Sequence, residues 1–175
     1  MMKAVMQPMK PVKHSVAVVV RRPRPAQASA PRGLREFLVV RRPDDPDDPL
    51  AGLWGLPAVT LQQGEDERAA VLRAGLVKLG VRLAAGPRIG AKTADRGSYV
   101  LRLADYEAVI EAGEPTVPQP DNTMTQYTGC RFTADPAVLA AAAARGSLCA
   151  QVFLEDLGDR GPAGSFRSSA ACTAL

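Results

Sequence analysis

One segment of helical periodicity, residues 66–79, most limits the folds open to this chain. Acidic residues precede it and Gly80 follows it, as is typical of the start and the end of a helix. Strand-like runs lie on both sides of it, at 15–20 and 36–41 before it and at 99–110 after it. The pattern therefore predicts a mixed β-sheet with helices packed on it. The apolar positions that we expect to face the core are Ala69, Ala70, Leu72, Leu76 and Leu79.

The rest of the chain extends this arrangement within one domain. Residues 88–92 and 126–133 predict further strands, and 99–110 predicts a strand with a helix as the alternative. Asp135 and Ser147 are typical N-cap residues for helices that reach residues 145 and 157. Glycine inside a helix costs about 1 kcal/mol relative to alanine, so we expect close packing at Gly75. We predict a loose lead-in over 1–13, a domain over 14–157 and a disordered tail over 158–175.

Composition excludes several classes of protein. The chain has 22 Lys and Arg against 18 Asp and Glu, and this net charge of +4 disfavours nucleic-acid binding. Its apolar run at 16–20 is too short for a signal segment or a membrane span. The single histidine, His14, excludes a zinc site with two histidines. Cys130, Cys149 and Cys172 lack metal-ligand spacing, which favours reduced thiols and a cytoplasmic protein.

A second pattern spans the predicted helix and the segment before it. Trp54-Gly-Leu-Pro follows the second strand and a long loop, and Glu65, Arg73 and Gly80-Val81 stand after it at fixed spacing. These residues resemble the Nudix hydrolase family, whose box reads G-x5-E-x7-R-E-U-x-E-E-x-G-U, with U an apolar residue. The resemblance covers roughly residues 14–157. It implies the Nudix-type α/β/α sandwich, with helix 66–79 on one side of a mixed sheet and the C-terminal helices on the other.

The chain departs from that box where the family holds its metal. In the family, carboxylates after the arginine share one helix face and hold magnesium against the diphosphate of the substrate. Here those positions carry Ala74, Val77 and Lys78, and the opening glycine of the box is Val59. Mg²⁺ or Mn²⁺ is the cofactor that the resemblance implies. Glu65 alone is a weak site for either ion, so we expect metal-dependent hydrolysis to be strongly impaired.

Two functions remain open from the sequence. The first is a divergent Nudix hydrolase that acts on a nucleoside diphosphate linked to another group, with Glu65 as the surviving acid and Arg73 as the residue that positions it. The second is a non-catalytic module that keeps the cleft for a nucleotide or a partner. In both, the predicted partner is a small nucleotide or diphosphate ligand. No sequence pattern indicates the oligomeric state.

The candidate binding residues each have a second interpretation. Lys78 either closes a vacant site by pairing with Glu65, together with Arg73, or meets a phosphate group directly. Arg41 and Arg42 end a strand that, in the Nudix fold, borders the cleft. They either contact a phosphate there or are simply solvated. Trp54 either stacks on a base or packs in the core. Five acids outside the box could rebuild a metal site, and the alternative is that they are surface charges. They are Glu67, Asp95, Asp105, Glu107 and Glu111.

Overall fold

The computed structural model describes residues 9–22, 35–117 and 127–160. Within them, the strands are β1 (Val12–Arg22), β2 (Glu36–Arg41), β3 (Trp54–Gly55), β4 (Ala58–Thr60), β5 (Arg82–Asp95), β6 (Val100–Ala112) and β7 (Gly129–Thr133). The helices are α1 (Glu67–Ala74), a π-helical turn (Gly75–Leu79), a 3₁₀ turn (Pro136–Leu139), α2 (Ala140–Ala144) and α3 (Leu148–Arg160).

The described strands form one mixed sheet around β1. Its central order is β3-β2-β1-β6-β5, with β4 also paired to β1 and β7 also paired to β2. β1 is parallel to β6 and antiparallel to β2, to which it pairs at Arg21 and Arg22. Residues 16–20 of β1 are fully buried, because strands flank them and helices cover both faces. A continuous β-branched run is the expected sequence for such a strand.

Two apolar layers hold the helices against the sheet. On one face, Val16 and Val18 of β1 pack in the same cluster as Ala70 and Val71 of α1. On the other face, Val19 packs in the same cluster as Leu139 and Phe153 of the C-terminal helices. This arrangement confirms the predicted α/β/α sandwich with a mixed sheet.

The face that the first helix buries differs in part from the predicted one, since Ala70 and Leu79 are buried as expected but the two leucines between them are not. Leu72 and Leu76 are 43% and 58% exposed, whereas Ala70, Val71 and Ala74 are buried. Small side chains let the helix lie close to the sheet, and the larger leucines are left on the outside. The predicted close packing at Gly75 is confirmed, since a Cβ there would lie 2.6 Å from Cγ of Leu83.

Most predicted elements are present with altered bounds. Residues 100–112 form a strand rather than a helix, Asp135 caps its helix as predicted, and Asp66 caps α1. β1 begins before the predicted domain start at residue 14, and α3 continues past residue 157 to Arg160. Residues 1–8 of the predicted lead-in over 1–13 and residues 161–175 of the predicted tail over 158–175 lie outside the described residues, as do 23–34 and 118–126. None of the described helices is long and apolar enough to cross a bilayer.

Candidate ligand cleft

An ion pair between Glu65 and Arg73 joins the loop after β4 to α1. Nε and Nη2 of Arg73 each donate to the Glu65 carboxylate at 2.7 Å, and Nη2 also donates to the carbonyl oxygen of Thr60 at 2.8 Å. The backbone N–H of Gln62 donates to the same carboxylate at 2.8 Å. The side-chain hydrogen bond from Arg73 is the main reason that the pKa of Glu65 is lowered. Both carboxylate oxygens therefore already accept hydrogen bonds from the protein.

The three positions that replace the box carboxylates do not face the cleft together. Ala74 is 1% exposed and lies in the core, and Val77 packs against the same core from a half-buried position. Lys78 instead lines a cavity beside β1 and β4. Ala74 is the last residue of α1, and Val77 and Lys78 lie in the π-helical turn that follows it directly. At its end, the N–H of Gly80 is shared between the carbonyl oxygens of Gly75 and Leu76.

Lys78 is a buried cation. It is 4% exposed, and its Nζ lies 5.4 Å from the centre of the Tyr127 ring. Burial, followed by the positive charges of Arg42 and Arg73, lowers the pKa of Lys78. Lys78 thus places a positive charge in the cleft wall, within the π-helical turn that follows α1.

The cleft has two lobes that meet at Arg42, Tyr99 and Tyr127. The first, which we call the basic lobe, has a volume of about 320 Å³, and its charged and polar walls are Lys13, Ser15, Arg42, Thr60, Lys78, Tyr99 and Tyr127. The second, the apolar lobe, has a volume of about 300 Å³, and its main apolar walls are Leu50, Trp54, Leu56, Leu101 and Leu148. Glu65 lies outside both and lines a shallower depression that shares Lys13 and Thr60 with the basic lobe.

The predicted binding residues divide between these surfaces. Arg42 lines both lobes while its Nε donates to Asp48 at 2.6 Å. Arg41 is exposed, and its Nε donates to the carbonyl oxygen of Gly52 at 3.2 Å. Trp54 packs against the core, as one of its two interpretations predicted, and it also lines the apolar lobe. The guanidinium of Arg131 lies 4.6 Å from the centre of the Trp54 ring.

The acids outside the box lie apart from Glu65 or have other partners. Glu67 accepts from the Tyr106 hydroxyl, Glu107 pairs with Arg21, and Asp95 pairs with Lys10. Glu111 lies 3.6 Å from Arg82, and Asp105 is buried under α3, close to Asp156. In the described part of the chain, no three His, Cys, Asp or Glu side chains are grouped so that they could hold a metal ion.

Sequence reasoning missed the two tyrosines and Lys13. Tyr127 is buried, its hydroxyl accepts from the N–H of Ala58 at 3.1 Å, and burial raises its pKa to about 12. Nζ of Lys13 lies 4.2 Å from the centre of the Tyr99 ring. These residues are far apart in sequence and lie outside any motif, so no local signal could have brought them together.

Solved structures of known proteins match this architecture. The MutT protein of Methanosarcina mazei matches with a TM-score of 0.64 and 15% identity, over 89% of this chain and 99% of that chain. A Nudix hydrolase of Nitrosomonas europaea matches with a TM-score of 0.59 and 20% identity, over 87% and 91% of the two chains. The chain has the Nudix fold. An Ap4A hydrolase of Caenorhabditis elegans shares this fold at a TM-score of 0.54 and 13% identity, over 84% and 98% of the two chains.

Sequence comparison adds a match over part of the chain. An 81-residue segment is 40% identical to the Mycobacterium tuberculosis protein named "Putative 8-oxo-dGTP diphosphatase 2", in strains CDC 1551 and H37Rv. This match covers 45% of the chain and 55% of that protein, so the chain spans about half the length of the curated relatives it matches. No protein-family model matches the sequence. At the level of the fold, the predicted resemblance to Nudix hydrolases is confirmed.

Nudix hydrolases in general require a divalent metal, but the side chains that the described residues offer at the box positions do not fit one. Mg²⁺ and Mn²⁺ prefer carboxylate, carbonyl and water oxygens. Ala74 and Val77 supply no side-chain oxygen and lie against the core, and Lys78 supplies a cation. The carboxylate of Glu65 is held at both oxygens by Arg73.

Proposed function

We propose that this chain binds a nucleoside diphosphate linked to another group in the two-lobed cleft, and that its metal-dependent hydrolysis of that ligand is weak. The observation that supports this best is the buried ammonium of Lys78 in the cleft wall, at a position where the Nudix box has a carboxylate. A cation at that position attracts phosphate and repels a divalent metal. Binding by the cleft and loss of the usual metal chemistry therefore follow from the same residue.

The two lobes fit the two halves of such a ligand. Lys13, Arg42 and Lys78 offer charge-assisted hydrogen bonds to phosphate oxygens in the basic lobe. Trp54 offers an aromatic surface to a base in the apolar lobe, beside aliphatic side chains. Each lobe alone is at the lower end of the volumes typical of small-molecule sites, and together they accommodate a nucleotide.

The named relatives suggest which nucleotides to try first. The mycobacterial relative is named for 8-oxo-dGTP, and the nematode protein of the same fold is named for Ap4A. We infer that a purine nucleotide with two or more phosphates is the first ligand class to test. Arg41, exposed at the end of β2, would meet a part of the ligand that extends out of the cleft.

Residual hydrolysis is the second candidate, and the preserved Glu65–Arg73 pair favours it. Arg73 fixes the orientation of Glu65 and lowers its pKa, so Glu65 is ionised at neutral pH. An oriented carboxylate can accept a proton from an attacking water. The described residues group no further acids with Glu65, so such a reaction would lack the metal that normally stabilises the charge of the diphosphate.

One panel of nucleotides can separate binding from turnover. Titration calorimetry with 8-oxo-dGTP, dGTP, Ap4A and a nucleoside diphosphate sugar should show binding, while assays for released phosphate and nucleoside monophosphate should show slow turnover or none. The panel is run in EDTA and again in Mg²⁺ or Mn²⁺. Turnover that disappears in Glu65→Gln and persists in the matched surface variant Glu155→Gln would establish the hydrolase. An absence of binding to the whole panel would contradict the proposed function.

A gain-of-function variant tests whether the missing carboxylates are the cause. Val77→Glu combined with Lys78→Glu should introduce Mg²⁺ binding and raise metal-dependent hydrolysis above the level of the natural chain. Ala74 is left unchanged because its side chain lies in the core, where a glutamate would be crowded and desolvated. If the double variant folds and binds Mg²⁺ but hydrolysis stays unchanged, loss of the metal site is not what limits turnover.

A further inference from the structure

The basic lobe has the charge that a phosphate ligand needs before any metal is added. Lys13, Arg42 and Lys78 line it, and the described residues that line it include no carboxylate. Lys78 is 4% exposed, so its charge acts in an environment that water screens poorly. Arg73 adds a second guanidinium close enough to affect Lys78 electrostatically.

Such a lobe favours an anion of high charge. An anion that enters this lobe meets the ammonium groups of Lys13 and Lys78 and the guanidinium of Arg42, which all line it. A diphosphate that carries Mg²⁺ has much of its charge already cancelled, and its oxygens are occupied by the metal. The metal complex would therefore gain less from this lobe than the free diphosphate.

We propose that the basic lobe binds the metal-free form of a diphosphate, with the Lys78 ammonium in place of the divalent cation, so that Mg²⁺ competes with the protein for the ligand. The inference rests on the proposed function, since it takes the ligand of the cleft to be a diphosphate. The inference predicts that Mg²⁺ lowers the affinity of the chain for the diphosphate instead of raising it.

Calorimetric titration with inorganic pyrophosphate and with ADP tests this at constant ionic strength. We expect the tightest binding in EDTA and a loss of at least about tenfold in affinity once Mg²⁺ saturates the ligand. Lys78→Met should lower the affinity in EDTA by a similar factor, and Mg²⁺ should then change the affinity of the variant only slightly. Lys92→Gln is the matched control, because Lys92 pairs with Glu155 outside both lobes, and it should bind like the natural chain.

A second variant keeps the test decisive if Lys78→Met does not fold. Lys13 is exposed, so Lys13→Gln should fold normally and should weaken pyrophosphate binding in EDTA. Affinity that rises with Mg²⁺, or that is unchanged in both variants, would overturn the inference while leaving nucleotide binding intact. No binding of any nucleotide or of pyrophosphate, with or without Mg²⁺, would overturn the proposed function as well.

Discussion

The carboxylate of Glu65 and the guanidinium of Arg73 form a two-bond ion pair, with both N–O distances at 2.7 Å. The pair connects the loop after β4 to α1. The side chain of Glu65 is 11% exposed and that of Arg73 is 18% exposed. A planar guanidinium matches a carboxylate in this way and fixes its orientation. In this chain the pair has a clear structural role, whereas its role in catalysis is a proposal.

Glu65→Gln should destabilise the fold, because the amide keeps the shape of the side chain but loses the charge that Arg73 faces. We expect a loss of about 1–3 kcal/mol in the free energy of unfolding, measured by urea denaturation at pH 7. Since the pKa of Glu65 is lowered in the folded chain, its contribution is present above the ordinary carboxyl pKa and is lost as pH falls through the lowered value. Glu111→Gln, at an exposed pair 3.6 Å from Arg82, should change stability by less than about 0.5 kcal/mol.

Asp105 should make the fold less stable as pH rises. It is fully buried on β6 beneath α3, and both of its carboxylate oxygens lack a hydrogen-bond partner. Burial, with the charge of Asp156, raises the pKa of Asp105 to about 8. The folded chain therefore favours the protonated acid. Its contribution to stability is complete below the ordinary carboxyl pKa and falls, as pH rises towards 8, by at most about 1.4 kcal/mol per pH unit.

Asp105→Asn provides the measurement for this pH dependence. The free energy of unfolding of the natural chain should decline between pH 5 and pH 8, and that of the variant should be flatter over the same range. Because Asp156 and Cys149 lie nearby and are affected by the same charge, the titration belongs to the group of side chains. If the free energy of unfolding changes equally with pH in both proteins, Asp105 is not the acid responsible.

Gly75→Ala should destabilise the chain although alanine is the better helix former. The added Cβ would lie 2.6 Å from Cγ of Leu83 and 2.9 Å from the carbonyl oxygen of Val81. We expect a net loss of about 1–3 kcal/mol by thermal or urea unfolding. Gly158→Ala in α3 is the matched control, since a Cβ there meets no atom within 4 Å, and it should stabilise the helix by about 0.5–1 kcal/mol.

Lys78→Met should stabilise the fold while it weakens phosphate binding. The pKa of Lys78 is lowered, chiefly by burial, so its protonated form is disfavoured in the folded chain relative to the unfolded chain. This unfavourable contribution is complete below the lowered pKa and disappears as pH rises through the ordinary lysine pKa. Removing the charge should raise the midpoint of thermal unfolding at pH 7. A lowered midpoint would indicate that the ammonium contributes more by its contacts than it costs by burial.

Much of the fold could be predicted from local patterns. The β-branched run in β1 required a buried strand, the acidic residues and Gly80 bounded the first helix, and Asp135 began the next. The face of the first helix was predicted only in part. Ala70 and Leu79 are buried as expected, whereas Leu72 and Leu76 have the right spacing but are exposed, because the sheet accepts the smaller side chains. Hydrophobic periodicity identifies a helix reliably, but it does not decide which of two neighbouring apolar stripes packs more closely.

The sequence by itself determined which chemical groups the Nudix-like helix carries, including a lysine and two aliphatic residues in place of acids. Only the tertiary structure decided where those groups lie: Ala74 and Val77 pack with the core, and Lys78 lines the cleft. It also brought Lys13, Tyr99 and Tyr127 beside that lysine from three distant segments. The reason is physical, since side-chain identity is a property of one position, whereas burial and electric field depend on everything that packs around it.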